Sequence, residues 1–265
     1  MKSKLIVNGA GGRMGRQIVA LACQDGLFDV SGAVDWAGNP DIGKDAGQLA
    51  GIGDIGVKLL GEYPKSGDVV IDFSNPAAAD GTIEYCVKNK KPLLMATTGL
   101  SVAQVEKLNE AAKTIPVILA SNTSLGMNLL FAIVGKVAKA LGEEFDIEII
   151  EQHHRFKKDS PSGTALSLAA SICKETDREF PTCLDHGREG KECLRQKGRI
   201  GMHAVRAGDI VGEHEIIYGA LGETVKISHS AHSRDIFARG ALKGAGWLVG
   251  KKAGMYTMAD CLGIK

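Results

Sequence analysis

Short apolar runs alternate with longer amphipathic stretches along the first half of the chain. The runs are 5–7, 28–34, 68–73, 92–96 and 117–120, and the stretches with helical spacing are 18–22, 77–89, 101–113 and 126–141. Short runs bounded by turn residues are typical of buried strands, and their regular alternation with helices is typical of a parallel sheet. This half therefore predicts an α/β fold, a doubly wound parallel sheet of the Rossmann type.

The pattern changes after residue 141. Residues 145–151 alternate apolar and acidic, which is typical of a strand with one solvated face. Further strands are predicted at 202–206, 210–214, 215–218 and 224–229, with turns at 207–209 and 221–223. A long polar loop is predicted at 177–201 and a last helix at 236–251. We expect a second, α+β domain with a mostly antiparallel open sheet. The predicted domains are 1–124 with 235–265, and 125–234, with hinges near 123–126 and 232–235.

A glycine-rich loop follows the first predicted strand. Gly9, Gly12 and Gly15 lie between that strand and a helix, and Asp35 ends the second strand. Such glycines let the backbone approach a pyrophosphate, the helix start attracts the anion, and the acid accepts hydrogen bonds from ribose hydroxyls. A glycine turn alone is often structural, but with strand, helix and acid in place it predicts a dinucleotide site.

Polar residues follow the predicted strands of this sheet at their carboxyl ends. Turn and cap chemistry is their ordinary interpretation, but ligands of doubly wound sheets bind at that edge. We therefore expect nicotinamide contacts there. The predicted cofactor-binding residues are Gly9, Ala10, Gly11, Gly12, Arg13, Met14, Asp35, Trp36, Ala96, Thr97, Thr98, Ala120, Ser121, Asn122 and Thr123.

The most informative segment is the basic stretch 152–158. If its backbone stays extended, His153, Arg155 and Lys157 share one face. A solvated surface loop is the plain alternative, but the residues directly after this stretch argue against it.

A predicted helix opens directly after the basic stretch. Pro161 fits its first position and Ser160 its cap. The amides of Gly163 and Thr164 are then expected to be unpaired donors for a carboxylate. A cation cluster beside a helix start predicts a site for a small, multiply charged acid.

Other chemistries fit the chain poorly. Ser162 lacks the G-x-S-x-G context of a serine hydrolase, and the adjacent histidines 153 and 154 lack the spacing of helical metal ligands. A zinc site of Cys183, His186 and Cys193 lacks paired cysteine spacing. No metal site is predicted. The six cysteines contain no C-x-x-C pair, and no signal peptide or membrane span is visible, so a cytoplasmic protein with reduced thiols is expected.

Composition narrows the classes of partner. The 32 basic and 31 acidic residues give a net charge of +1, so no basic excess favours nucleic acid. Glycine, at 34 of 265 residues, exceeds the usual share of about 7% and suits tight turns and close backbone approaches. Neither a nucleic-acid nor a membrane partner is expected.

Together these motifs resemble the dihydrodipicolinate reductase (4-hydroxy-tetrahydrodipicolinate reductase) family over essentially the whole chain. They are 9–15 (GAGGRMG), 71–74 (IDFS), 97–99 (TTG), 151–165 (EQHH to PSGTA), 206–214 (RAGDIVGEH) and 233–238 (SRDIFA). The resemblance implies reduction of 4-hydroxy-tetrahydrodipicolinate to tetrahydrodipicolinate by hydride from NAD(P)H with loss of water, in lysine and diaminopimelate biosynthesis. It also implies a homotetramer formed through the sheet of the second domain, which binds the small dicarboxylate substrate.

Site roles are implied by the same resemblance. His153 and Lys157 are the expected catalytic acid/base pair, with Lys157 as the proton donor. The expected substrate-binding residues are His154, Ser162, Gly163 and Thr164.

Departures from the family pattern bear on the cofactor. Trp36 follows Asp35 where relatives that accept the phosphorylated cofactor often have a basic residue, so we predict that NADH is preferred over NADPH. Arg13 could still reach a phosphate, which leaves dual use open. Asn75 and Thr123 also differ from some relatives, which bears on the nicotinamide contacts.

Two rival functions are weighed. The first is another two-domain Rossmann reductase, of the aspartate-semialdehyde or homoserine dehydrogenase type. The former needs a cysteine nucleophile, and no cysteine lies near the adjacent histidines in sequence. A non-catalytic NAD-binding protein would bind cofactor without turnover.

Overall fold

The computed structural model describes residues 2–264 and divides them into two compact units. The first unit runs up to Leu125 and includes Asp235–Gly263, and the second consists of Gly126–Arg234 together with Ile264. Each unit has its own sheet and its own hydrophobic core.

The strands are, in chain order, β1 (Ser3–Asn8), β2 (Phe28–Val34), β3 (Leu59–Leu60), β4 (Val69–Asp72), β5 (Leu93–Met95), β6 (Pro116–Leu119), β7 (Asp146–His153), β8 (Leu184–His186), β9 (Ile200–Arg206), β10 (Gly212–Ala220), β11 (Glu223–Ala231) and β12 (Gly254–Tyr256). The helices are α1 (Arg13–Asp25), α2 (Ala46–Leu49), α3 (Pro76–Asn89), α4 (Val102–Ala111), α5 (Leu125–Leu141), α6 (Gly163–Glu175), α7 (Asp235–Leu248) and α8 (Met258–Leu262).

The sheet of the first unit has the strand order β12-β6-β5-β4-β1-β2-β3, with every neighbouring pair parallel. Both faces are covered, because Leu5 and Val7 pack with α1 and α7 while Ile6 packs with α3 and α4. A strand buried on both faces reads as a continuous apolar run, which is why these strands were predictable. The predicted Rossmann-type parallel sheet is confirmed.

The sheet of the second unit has the order β11-β10-β7-β9-β8. Strand β10 is antiparallel to β7 and β11, whereas β9 is parallel to β7 and β8. The sheet is therefore mixed rather than mostly antiparallel. One face packs on α5 and α6 through Ile147, Ile149, Ile216 and Tyr218, and the Tyr218 hydroxyl donates to the Val134 carbonyl at 2.7 Å.

Several predicted boundaries in this half were wrong. The predicted strands 210–214 and 215–218 are one strand, β10, whose alternation of buried and half-buried residues continues without a break. The turn at 207–209 does not pair β9 with β10, because β9 pairs with β7. Strand β8 lies within the predicted loop 177–201.

The C-terminal prediction was also incomplete. Helix α7 ends at Leu248 rather than 251, and β12 and α8 follow it. A three-residue strand is too short to show a periodic pattern, so its place is set by pairing with β6. Among residues 2–264, no helix is both long and apolar enough to cross a membrane.

Candidate active site

The glycine loop of the first unit requires glycine for steric reasons. Gly9 has a φ of +78°, and a Cβ there would lie 2.5 Å from the Phe73 carbonyl oxygen. A Cβ on Gly15 would overlap the Gly9 carbonyl oxygen. Gly12 is the N-cap of α1 and offers no side-chain cap, so the first turn can direct its amides at an anion. The loop therefore fits a pyrophosphate.

Asp35 lies directly after β2 and beside this loop. Its carboxylate accepts hydrogen bonds from the amides of Gly11 and Trp36, both at 2.9 Å. The neighbouring Arg16 donates to the Gly11 carbonyl at 2.8 Å and pairs with Asp41 at 2.8 Å. Trp36 is exposed. This corner thus presents a fixed carboxylate and an open indole ring, which suits ribose hydroxyls and an adenine ring.

A cleft of about 490 Å³ lies at the carboxyl edge of this sheet. Its lining residues are Gly12, Arg13, Met14, Phe73, Ser74, Ala96, Thr97, Thr98, Ser121, Asn122, Thr123 and Phe237. The sequence missed three of these. Phe73 and Ser74 come directly after β4, at the same edge of the sheet as the predicted residues that follow β5 and β6. Phe237 comes from α7. Of the remaining predicted cofactor residues, Ala10 and Ala120 are buried.

A buried carboxylate lies beneath the cleft. Asp72 is fully buried and accepts hydrogen bonds from Asn8 Nδ2 (2.9 Å), the Ser74 amide (2.9 Å), the Ser74 hydroxyl (2.6 Å), Thr97 Oγ1 (2.7 Å) and Thr82 Oγ1. Ser74 and Thr97 line the cleft, so Asp72 fixes their orientation. The sequence did not single out this residue.

The C-terminal segment also supports the cleft. Thr123 is buried and its hydroxyl donates to the Phe237 carbonyl at 2.7 Å. A Cβ on Gly240 would overlap the Thr123 carbonyl oxygen, so α7 approaches this strand end closely only because it has glycine there.

In the second unit, Glu151 is fully buried near the end of β7. Its carboxylate faces His153 Nδ1 at 2.6 Å and accepts from Arg206 Nη1 at 2.8 Å, Arg206 Nη2 at 2.7 Å and the Ser162 amide at 2.9 Å. Burial alone would raise the pKa of Glu151, but the bonds from Arg206, His153 and Ser162 outweigh burial and hold that pKa below its ordinary value. Glu151 is a site residue that the sequence named only within a motif.

His153 is held by this carboxylate. Burial lowers the pKa of His153, and the hydrogen bond and charge of Glu151 offset part of that shift. The ring packs edge-on against His214 with centroids 5.3 Å apart. A Cβ on Gly212 would lie 3.2 Å from His153 Nε2, so glycine leaves room beside that nitrogen.

Lys157 is paired with a carboxylate that lies shortly before α6. Its ammonium donates to Asp159 at 2.8 Å, and this bond holds the pKa of Asp159 below its ordinary value. The nearby Gly163 amide also lowers the pKa of Asp159. A carboxylate of the chain itself thus pairs with Lys157 next to the predicted carboxylate site.

The predicted helix cap was two residues too early. Ser162, not Ser160, is the N-cap of α6, and its hydroxyl accepts from the Ala165 amide at 3.2 Å. Pro161 therefore precedes the helix. The physical reason is tertiary, since Glu151 accepts the Ser162 amide and fixes the backbone there.

Two further histidines complete the site. His154 Nδ1 is buried and has no hydrogen-bond partner in the described structure, and the His154 carbonyl accepts from the Lys157 amide at 3.1 Å. His214, which the sequence did not predict, lies 3.3 Å from Ser162 Oγ through its Nε2. Burial lowers the pKa of His214 to about 4, so this ring is neutral at ordinary pH.

Metal ligation was weighed for the cysteines. Within residues 2–264, no group of three or more His, Cys, Asp or Glu side chains is arranged to hold a metal ion. The Cys183 sulfur instead lies 3.2 Å from that of Cys173, and Cys193 is exposed.

Comparisons with known proteins cover both units. The family profile "Dihydrodipicolinate reductase, N-terminus" matches residues 3–123, and "Dihydrodipicolinate reductase, C-terminus" matches residues 126–262. Proteins named 4-hydroxy-tetrahydrodipicolinate reductase from Syntrophus aciditrophicus, Trichlorobacter lovleyi and Geotalea uraniireducens are 41%, 43% and 42% identical, each over 99% of both chains.

Solved structures show the same fold. A dipicolinate-bound dihydrodipicolinate reductase from Paenisporosarcina sp. TG-14 superposes with a TM-score of 0.76 at 20% identity, covering 98% of this chain and 99% of that one. An amine dehydrogenase from Mycobacterium smegmatis superposes with a TM-score of 0.59 at 10% identity, covering 97% and 95%.

Proposed function

The chain belongs to the dihydrodipicolinate reductase family, and from that premise we propose how its two units divide a single reduction. It reduces 4-hydroxy-tetrahydrodipicolinate to tetrahydrodipicolinate with NAD(P)H and loss of water, in lysine biosynthesis. In our proposal the first unit binds the nicotinamide cofactor and the second binds the dicarboxylate and supplies the proton.

The observation that carries this proposal is a carboxylate of the chain, that of Asp159, held shortly before α6. Asp159 pairs with the Lys157 ammonium at 2.8 Å, and the nearby Gly163 amide lowers the pKa of the same carboxylate. The same two groups suit a carboxylate of the substrate, since a cation and a helix start both favour anions. We assign substrate binding to His154, Ser162, Gly163 and Thr164.

Lys157 is the proton donor in this scheme. When bound, NAD(P)H supplies the hydride, which leaves negative charge on the conjugated substrate. An ammonium beside the substrate carboxylates stabilises that charge and passes a proton to carbon. Burial lowers the pKa of His153, so this residue is neutral and completes the acid/base pair as the proton acceptor.

The cofactor site is assigned to the glycine loop and the cleft of the first unit. Gly9 and Gly15 give the close backbone approach, and α1 starts without a side-chain cap. Residues at the ends of β5 and β6, with Ser74 after β4, would orient the nicotinamide.

We further propose that NADH is preferred over NADPH. The Asp35 carboxylate is fixed by two amides and would repel a 2′-phosphate, and Arg16 is already paired with Asp41. The test is kcat/KM with both cofactors, with NADPH favoured about tenfold or more as the contrary result.

A homotetramer is proposed from the open face of the second sheet. Helices α5 and α6 pack on one face, and Ile150 and Ile217 lie on the opposite one, at positions that alternate with the core residues. Light scattering on the purified chain should give four times the 27.9 kDa chain mass. A monomer at assay concentration would contradict it.

The activity is tested by NADH oxidation with the freshly made product of dihydrodipicolinate synthase. Turnover that depends on this substrate is expected. Cofactor binding without turnover would instead favour a non-catalytic NAD-binding protein.

A further inference from the structure

One buried carboxylate joins the proposed acid/base residue to the proposed substrate site. Glu151 contacts His153 through Oε2 and the Ser162 amide through Oε1, at 2.6 and 2.9 Å. Ser162 caps α6, so the Glu151 side chain contacts both the imidazole and the residue that starts that helix. Both contacts join Glu151 to residues of the proposed site.

The contacts of Glu151 fix its charge state. A fully buried carboxylate is costly unless it is paired and hydrogen-bonded. Arg206 forms a bidentate pair with it at 2.7 and 2.8 Å, and the Ser162 amide adds a further donor. An ionised carboxylate only accepts hydrogen bonds, so the nitrogen of His153 that faces it must carry a proton.

The charge state of Glu151 in turn decides what His153 offers. In the neutral ring, a proton on Nδ1 leaves a lone pair on Nε2, the nitrogen beside Gly212. The titratable and charged groups around this ring are Glu151 on its own strand, Arg206 on β9, His214 on β10 and Lys157 on the following loop. Of these, only Glu151 bonds the ring among the described contacts.

We propose that Glu151, held by Arg206, is a positioning residue for this reaction. It fixes the Nδ1–H tautomer of His153, so that Nε2 accepts, and at the same time it anchors the Ser162 amide and with it the start of α6. Proton donation at neutral pH then falls to Lys157. The inference rests on the roles proposed above for His153 and for the α6 start.

The tautomer is measured directly in the wild-type chain. Nitrogen-15 NMR of labelled histidines separates protonated from unprotonated ring nitrogens, and comparison with a His153→Gln spectrum assigns the ring among the seven histidines. At neutral pH we expect a proton on Nδ1 and none on Nε2. The opposite tautomer in the wild-type chain would overturn the inference, whatever the activity.

The variant Glu151→Gln tests the consequence. Its amide can donate to Nδ1 and so favours the Nε2–H tautomer, and kcat/KM is expected to fall by about 10²-fold. Because the charge of Glu151 raises the pKa of His153, its removal should also move the acid limb of the kcat/KM profile to lower pH. A structural defect alone would lower the rate equally at every pH.

The matched control is Glu148→Gln on the same strand. Glu148 also accepts from two arginines, Arg188 and Arg195, and lies 2.6 Å from a histidine nitrogen, that of His203. It contacts neither His153 nor Ser162 in the described hydrogen bonds, so both the tautomer and the pH profile should stay as in wild type.

The outcomes separate the two proposals. A rate reduced by the same factor at all pH values in Glu151→Gln, with the tautomer unchanged, would overturn the positioning role. A wild-type chain with the expected tautomer but no turnover would overturn the proposed function instead. If Glu151→Gln fails to fold, the wild-type NMR measurement still decides.

Discussion

Two buried carboxylates, one in each unit, orient the residues assigned to cofactor and substrate, and they do so with different donors. Asp72 is bonded by hydroxyl, amide and backbone groups, whereas Glu151 is bonded by the guanidinium of Arg206 and faces an imidazole. The first arrangement fixes geometry alone. The second also sets the proton position on an ionisable ring, and that requires a cation to keep the acid charged.

The largest effect that separates the two regions is expected from Lys157→Ala. Turnover should fall by about 10²- to 10⁴-fold, because the proposed proton donor is lost. NADH binding, followed by fluorescence titration, should change little since Lys157 lies in the second unit. Near-normal kcat in this variant would contradict the assigned role.

Arg206→Met tests whether Glu151 depends on its cation. The variant leaves a fully buried carboxylate without its bidentate partner, and the free energy of unfolding should drop by about 3–5 kcal/mol in urea denaturation. Arg188→Met is the control, because Glu148 is partly exposed and keeps Arg195. The control should cost about 1 kcal/mol or less. Equal losses of unfolding free energy in both variants would show that Glu151 depends on its arginine no more than Glu148 does.

Asp72→Asn tests the uncharged arrangement. The side-chain amide of the asparagine has an N–H in place of one accepting oxygen, and it would face hydroxyls that now donate to Asp72. The free energy of unfolding should therefore fall by about 1–3 kcal/mol. The KM for NADH should rise and the KM for the dicarboxylate should not, because Ser74 and Thr97 line the cleft proposed for the cofactor. Thr82→Val removes one donor from outside that lining and should change the KM for NADH less. A rise in the substrate KM alone would refute this division.

The smallest effect is a pH dependence of stability from His214. Its pKa is lowered by burial from 6.5 to about 4, so the unfolded state binds a proton that the folded state does not. Stability contributed by this ring is complete above pH 6.5 and is lost as pH falls toward about 4. Urea midpoints across that window should decline more steeply for wild type than for His214→Asn. Parallel slopes would show that the ring does not contribute.

The sequence predicted what depends on neighbours along the chain. The first strand, the glycine loop, the helix and Asp35 follow one another within a short segment, so their pattern was sufficient to predict this part of the fold. The roles of Glu151 and Asp72 were not visible, because Arg206 and Thr97 reach them from distant strands. The same cause explains the early helix cap. Pro161 matches a local preference, but a contact to Glu151 sets the start of α6 at Gly163.

The two units also differ in which segments of the chain form them. Almost all of the second is one continuous stretch, Gly126–Arg234, whereas the first is completed only when β12 pairs with β6 and α7 enters its core. During synthesis from the N-terminus, the second unit therefore has nearly all its residues before the first unit does. A chain that stops shortly after Arg234 would retain Gly126–Arg234 and leave the first unit without an edge strand and a core helix. Shortening the C-terminus thus removes part of a core rather than a tail.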